Sequence, residues 1–306
     1  MDRQEKIESL LDDAYSTDDP EEMEWLARAV LELQDDNVEA LILLADSIEY
    51  SEEKIALLEK AKECLSDVIE GLSITEGENV LDDDDGMLYV AVLQRLGFAL
   101  FSEGRNSEAF SIAKEIIEYD RNRETLGHTL LYRVLLEMGK DSELLEETRG
   151  EDNSDPAVTH SRAIASFRLS GACRSSYNEL WKAFLSGPDI PFYILGYFDE
   201  PLDDSEEAEE EYNFSLLFED IWSSDMDLIN WLARATILLG LAASLFAGEN
   251  TEKMLILADA LEIADHAENA MVTLESREDW GKLSREKRIA ASIDLFSQGR
   301  YLPLID

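Results

Sequence analysis

The chain has 306 residues, with 69 Asp or Glu against 26 Lys or Arg, a formal net charge of -43. Such a charge repels nucleic acid and anionic membrane, so neither is expected as a partner. With 45% apolar residues the chain is hydrophobic enough to fold, as one large domain, two modest ones or a repeat array.

The opening residues, Met1 to Ile7, lack the basic start and apolar stretch of a secretory signal. Cys64 and Cys173, the only cysteines, are too few and too far apart for a disulfide framework or a thiolate zinc site. A reducing, cytoplasmic location is expected. The most apolar stretch, Ala235 to Ala247, falls short of the ~20 residues a membrane-spanning helix needs and reads as a buried helix.

Apolar residues recur at i, i+3, i+4 and i+7 between Gly, Pro or Asx clusters, and strand-like alternation is nearly absent, so an all-α protein of helical hairpins is predicted. In chain order, a partial unit (Met23, Ala27, Val30) precedes Leu41, Leu44, Ala45 and Ile48, which lead into Glu53 to Ala61. The acidic run Glu76 to Gly86 is a solvated loop feeding a helix that begins near Met87. The best register follows, in Leu93, Leu96, Gly97, Leu100, Gly104, Ala109, Ala113 and Ile116. Here Gly97 admits a neighbouring helix, Gly104 makes the turn, and the alanines keep the second helix thin where it crosses the first. His128, Leu131, Tyr132, Leu135, Gly139 and Leu144 repeat the arrangement, and His160, Ala163, Ile164, Phe167, Gly171, Leu180 and Ala183 repeat it again. Beyond these, a second acidic run, Asp203 to Glu211, leads into a helix carrying Tyr212, Leu216, Leu217, Ile221 and Trp222. Helices over about 226–247, 250–274 and 284–298 are expected to cap the stack.

These units resemble the tetratricopeptide repeat, a helix-turn-helix of about 34 residues. The resemblance covers residues 1–190, with His or Leu standing where that family's units begin with Trp. The block Gly187 to Gly196, with Pro201, Glu206 to Ala208, Tyr212, Trp222 and Trp231-Leu232, resembles the segment after the repeats in tetratricopeptide-like proteins of the suppressor of tumorigenicity family and their bacterial relatives. The resemblance implies a right-handed α–α superhelix, a tetratricopeptide-like solenoid over 1–190, with a connector and C-terminal helical extension over 191–306. It brings no catalytic residues.

Chemistry-bearing motifs are scarce. Aligning Asp82 to Gly86 as a calcium loop puts Leu81 and Val92 at ligand positions, so the run is read as a charged loop. His128 and His160 occupy equivalent repeat positions that face the inside of a hairpin and are read as packing histidines. No HExxH, GxSxG, P-loop or GxGxxG occurs, and no enzyme activity, metal or cofactor is expected. Residues 91–182 hold 12 of the basic residues and 15 acids and are nearly neutral. There Arg95, Arg133, Arg162 and Arg168 fall on or beside groove-facing positions, with Phe98 and Phe101 as an apolar floor. This is a candidate peptide-binding groove, in which arginines hold a carboxylate or an acidic motif. The competing expectation is that these arginines pair with the chain's own acids. The expected function is a non-catalytic scaffold holding a peptide or protein partner. The alternative is a structural subunit that forms a homodimer through its C-terminal helices.

Overall fold

The computed structural model describes residues 2–48, 51–71, 80–120 and 122–303, and among these the chain is all-α, with no strand. Most of the acidic loop before Val80 lies outside the described residues. The chain divides into two compact units, Met1–Val134 and Leu135–Asp306.

The first unit comprises α1 (Arg3–Ser16), α2 (Pro20–Leu33), α3 (Val38–Ser47), α4 (Ser51–Gly71), α5 (Asp84–Ser102), α6 (Asn106–Tyr119) and the first turns of α7 (Gly127–Glu137). Side-chain caps set several starts. Asp19 accepts the Glu21 N–H ahead of Pro20, Asn37 accepts that of Ala40, and Asp83 accepts those of Asp85 and Gly86. The Asp83 cap starts α5 three residues before the expected Met87, so Asp84 and Asp85 occupy its first turn at the positive end of the dipole. Gly104 closes α5 with φ +70, the left-handed conformation glycine adopts at least cost.

Helices one place apart also touch. Tyr15 Oη on α1 donates to Glu39 on α3 (3.3 Å), and Arg95 on α5 pairs with Asp46 on α3 (2.9 Å). Leu126 N–H, at the entrance to α7, donates to Gln94 on α5 (2.9 Å). A second series joins Arg28 on α2 to Glu53 on α4 (3.3 Å) and Lys62 on α4 to Glu115 on α6 (2.6 Å). Gly97 works as the sequence predicts, since a Cβ there would lie 2.4 Å from Leu130 Cδ2 and 3.1 Å from Ile112 Cγ2. Helices α6 and α7 therefore pack on bare backbone. Ala109 and Ala113 are fully buried on the other side of the hairpin.

The second unit holds α8 (Asp141–Glu147), α9 (Pro156–Ser170), α10 (Arg174–Ser186), α11 (Ile190–Ile194), α12 (Glu206–Ser223), α13 (Met226–Ala242), α14 (Glu249–Ala260), α15 (Ala264–Glu275) and α16 (Arg285–Ser297). Its centre is α13, which packs against α9, α11, α12, α14, α15 and α16. Trp231, Leu232, Ile237, Leu238 and Leu239 are buried there, each contributing about 1.5–3 kcal/mol of transfer free energy. Trp231 stacks on Phe167 at 4.7 Å and meets Tyr177 at 5.5 Å and Trp222 at 6.2 Å. Phe167 thus serves this core. The C-terminal helices are shorter than their apolar patterns suggest. Ser244 (φ +53) ends α13 as Leu245 N–H turns back to the Gly240 carbonyl at 2.9 Å. Glu262 (φ +58) splits the expected 250–274 helix, with Ile263 N–H bonding the Ala258 carbonyl at 2.8 Å. Among the described residues no helix is long and apolar enough to cross a membrane.

Candidate functional site

The six groove candidates are divided between the two units, with Arg95, Phe98, Phe101 and Arg133 in the first and Arg162 and Arg168 in the second. In the first unit Arg95 and Phe98 stand one turn apart on α5, and Phe98 and Phe101 are half-buried. Arg95 Nε donates to both Asp46 carboxylate oxygens at 2.9 and 3.1 Å, and Nη1 donates to the Ala91 carbonyl at 3.3 Å. Arg133 is only 4% exposed, and its guanidinium lies 5.1 Å from the centroid of the Phe101 ring. It is a packed residue.

In the second unit Arg162 donates to Asn153 Oδ1 at 2.8 Å and to the Thr148 carbonyl, closing the turn after α8. Arg168 donates to the Leu136 carbonyl at 2.8 Å and to Ser224 Oγ at 3.4 Å, with Asp141 3.7 Å away. A guanidinium offers five donors in a fixed fork, and these arginines spend several of theirs on nearby carbonyls and acids. The geometry unites Arg133 with Phe101 and sets Arg95 beside Phe98.

Two concave features of the second unit border α12, where the sequence carries both the acidic run and a dense aromatic run, Phe192 to Trp222, that reads either as packing for the connector or as a ligand pocket or partner hot spot. At 3.6 residues per turn, Glu207, Glu210, Glu211 and Phe214 share one flank, while Glu209, Tyr212, Asn213 and Leu216 share another. The first flank, with Glu206 and Pro156, borders a cavity of about 790 Å³. Of the second, Glu209, Tyr212 and Asn213, with Glu200, Leu202, Asp203 and Asp204, border one of about 610 Å³. Among the described residues no Lys or Arg is in the walls of either. The sequence signal is the aromatic run that includes Tyr212 and Phe214, not the acids.

Glu211 is buried where α12 crosses the start of α11, and its carboxylate accepts the Asp189 N–H at 2.7 Å. Gly187 allows this approach, because a Cβ there would sit 2.2 Å from Ile190 Cδ1 and 3.5 Å from the Glu211 carboxyl carbon. Burial pushes the Glu211 pKa up to about 7, reinforced by the charges of Asp189 and Glu207 and opposed by the backbone N–H groups of Asp189 and Ile190. Behind Phe214, at 5.2 Å, lies His160, fully buried and held neutral by desolvation, with its pKa lowered to about 3. Among the described residues neither His160 ring nitrogen has a hydrogen-bond partner, and the ring stands edge-on to Trp222 at 5.9 Å. It is a packing histidine, as the sequence predicts.

A third cavity, of about 590 Å³, has Arg149, Arg162 and Lys182 facing Glu151 and Glu179. Beside it Cys173 caps α10, within 2.9 Å of Ser175 Oγ, a wall residue, and 3.4 Å of Ser176 Oγ. These hydroxyls lower the thiol pKa to about 7. Among the described residues no group of three His, Cys, Asp or Glu side chains is placed to hold a metal ion. Compared with family models, with curated proteins and with solved structures, the chain matches none. Fold and site geometry therefore define the class, an all-α protein of helical hairpins with acidic cavities along α12.

Proposed function

We propose that the protein is a non-catalytic, cytoplasmic interaction scaffold of the tetratricopeptide-like kind. Its first-unit hairpins stack in chain order as a right-handed α–α solenoid, and its helix faces hold a peptide or protein segment. The observation that carries this reading is the pair of contact series, α1 to α3 to α5 to α7 and α2 to α4 to α6. A stack of hairpins makes serial contacts of that kind, whereas helices around a single centre do not. Arg95 and Phe98 present the groove surface of α5, and Arg133 underpins Phe101 beside them.

The α12 cavities favour binding over chemistry. Glu211 is occupied by the backbone N–H of Asp189, the Ser186 hydroxyl donates to the Ala183 carbonyl at 2.9 Å, and among the described residues no His, Cys or Lys lines the larger of the two. The dimeric reading draws less support, because α13, the most apolar C-terminal helix, spends its surface inside its own unit.

The test is affinity capture by the tagged full chain from native extract at low and high salt, with light scattering in parallel. A retained polypeptide, weakened by Arg95→Glu with Phe98→Ala, and a monomer mass near 34.6 kDa are expected. Retention of no polypeptide overturns the scaffold, and a stable dimer with nothing captured favours the alternative.

A further inference from the structure

The second flank of α12 pairs an apolar face with a frame of one charge. Leu202 is 46% exposed and lines one cavity with Tyr212, and Leu216, 55% exposed, follows Tyr212 one turn along the same face of α12. Leu202, Tyr212 and Leu216 together offer an apolar strip that a partner can cover. The face is held rigid from beneath. Tyr212 meets Tyr193 edge-to-face at 5.4 Å, and Tyr193 Oη accepts the Leu202 N–H at 3.1 Å, so loop and helix are tied through one phenol. Beside Leu202 and Tyr212 the cavity of about 610 Å³ has Glu200, Asp203, Asp204 and Glu209 as its charged walls, with no Lys or Arg among the described residues there.

Resting on the scaffold reading above, we propose that the Leu202–Tyr212–Leu216 face of α12 docks a basic amphipathic segment of another protein, its apolar side on the strip and its Lys or Arg side chains in the carboxylate frame. Charge complementarity selects this occupant. A second copy of a chain carrying -43 would bring carboxylates against carboxylates, and an anionic lipid surface would be repelled by the same frame. A bare cation would leave the leucines in water.

The probe is a synthetic Leu/Lys peptide of about fifteen residues with its leucines on one helical face. It is titrated into the full-length protein by fluorescence anisotropy at ~50 and ~300 mM NaCl, beside a sequence-scrambled peptide of the same composition. The amphipathic peptide is expected to bind roughly tenfold more tightly than the scrambled one, and Leu202→Glu with Leu216→Glu should remove that advantage. Both leucines are exposed, so the variant should fold; helicity by circular dichroism confirms it. Ile256→Glu, at an exposed position on α14, should leave binding unchanged. Equal binding of both peptides, or equal loss in the α12 and α14 variants, would reduce the effect to net charge and overturn the proposal. If the extract capture succeeds while the α12 variant retains every partner, this surface falls and the scaffold stands. If capture itself fails, the scaffold reading falls.

Discussion

The guanidinium of Arg133 lies 5.1 Å from the centroid of the Phe101 ring, with only 4% of Arg133 exposed. A desolvated cation over an aromatic face contributes about 2 kcal/mol, and the planar group also fills space that an ammonium does not. Arg133→Lys should therefore lower stability to urea by about 1–2 kcal/mol although charge is retained. Phe101→Leu should cost a similar amount, and the double variant less than the sum by about 1 kcal/mol. Strict additivity would show that the two side chains act independently.

Glu211 gives a pH-dependent prediction. An unfolded Glu titrates near 4.3, while in the fold burial raises the group to about 7. Between those values the folded protein holds a proton that the unfolded chain has released, so this group's contribution falls as pH rises through the window and stays low above it. Glu211→Gln keeps an acceptor for the Asp189 N–H without the buried charge. It should stabilise the protein by about 1–3 kcal/mol at pH 8 and have little effect at pH 4. Thermal melts of both proteins at the two pH values decide it, and a variant equally shifted at both would contradict the assignment.

The two cysteines should react differently. Hydrogen bonds from Ser175 and Ser176 hold the Cys173 thiol down near 7, whereas burial and the nearby Asp36 carboxylate push Cys64 up. Alkylation of the native protein followed by mass spectrometry should label Cys173 first, with a rate that half-saturates around pH 7. Ser175→Ala should move that midpoint upward.

The start of α5 tolerates little. A Cβ on Gly86 would lie 2.1 Å from the Val80 carbonyl oxygen, and backbone cannot step aside as a side-chain tip can. Gly86→Ala should cost about 1–3 kcal/mol despite the better helix propensity of Ala. Asp83→Ala, which leaves the Asp85 and Gly86 N–H groups uncapped, should cost about 1 kcal/mol. Chemical denaturation measures both.

The hairpins were legible because their signals are local: Gly97 at a crossing, Gly104, Gly139 and Gly171 at left-handed turns, and Asp or Asn with Pro at starts. Ser284 and Gln298, the ends of the last predicted helix, prove to be the caps of α16. The breaks at Ser244 and Glu262 were hidden because neither residue is a habitual left-handed turn former. The candidate site was harder to read. Arg133 occupies a position that helical spacing assigns to a groove, yet burial depends on Phe101, thirty-two residues earlier, as the sequence numbers them. The α12 cavities depend on Gly187, Tyr193 and Leu202 meeting a helix that begins later, and nothing in the acidic run itself encodes those neighbours.

Tyr177 donates its buried hydroxyl to the Pro303 carbonyl at 3.1 Å, a bond spanning 126 positions. On the ribosome that contact has no partner until residue 303 has left the exit tunnel. Contacts among neighbouring helices in the amino-terminal part can form as the polypeptide emerges. The aromatic core around Trp231 must instead wait for nearly all of its own half to be synthesised, so a stalled or prematurely terminated product would expose tryptophans to quality control.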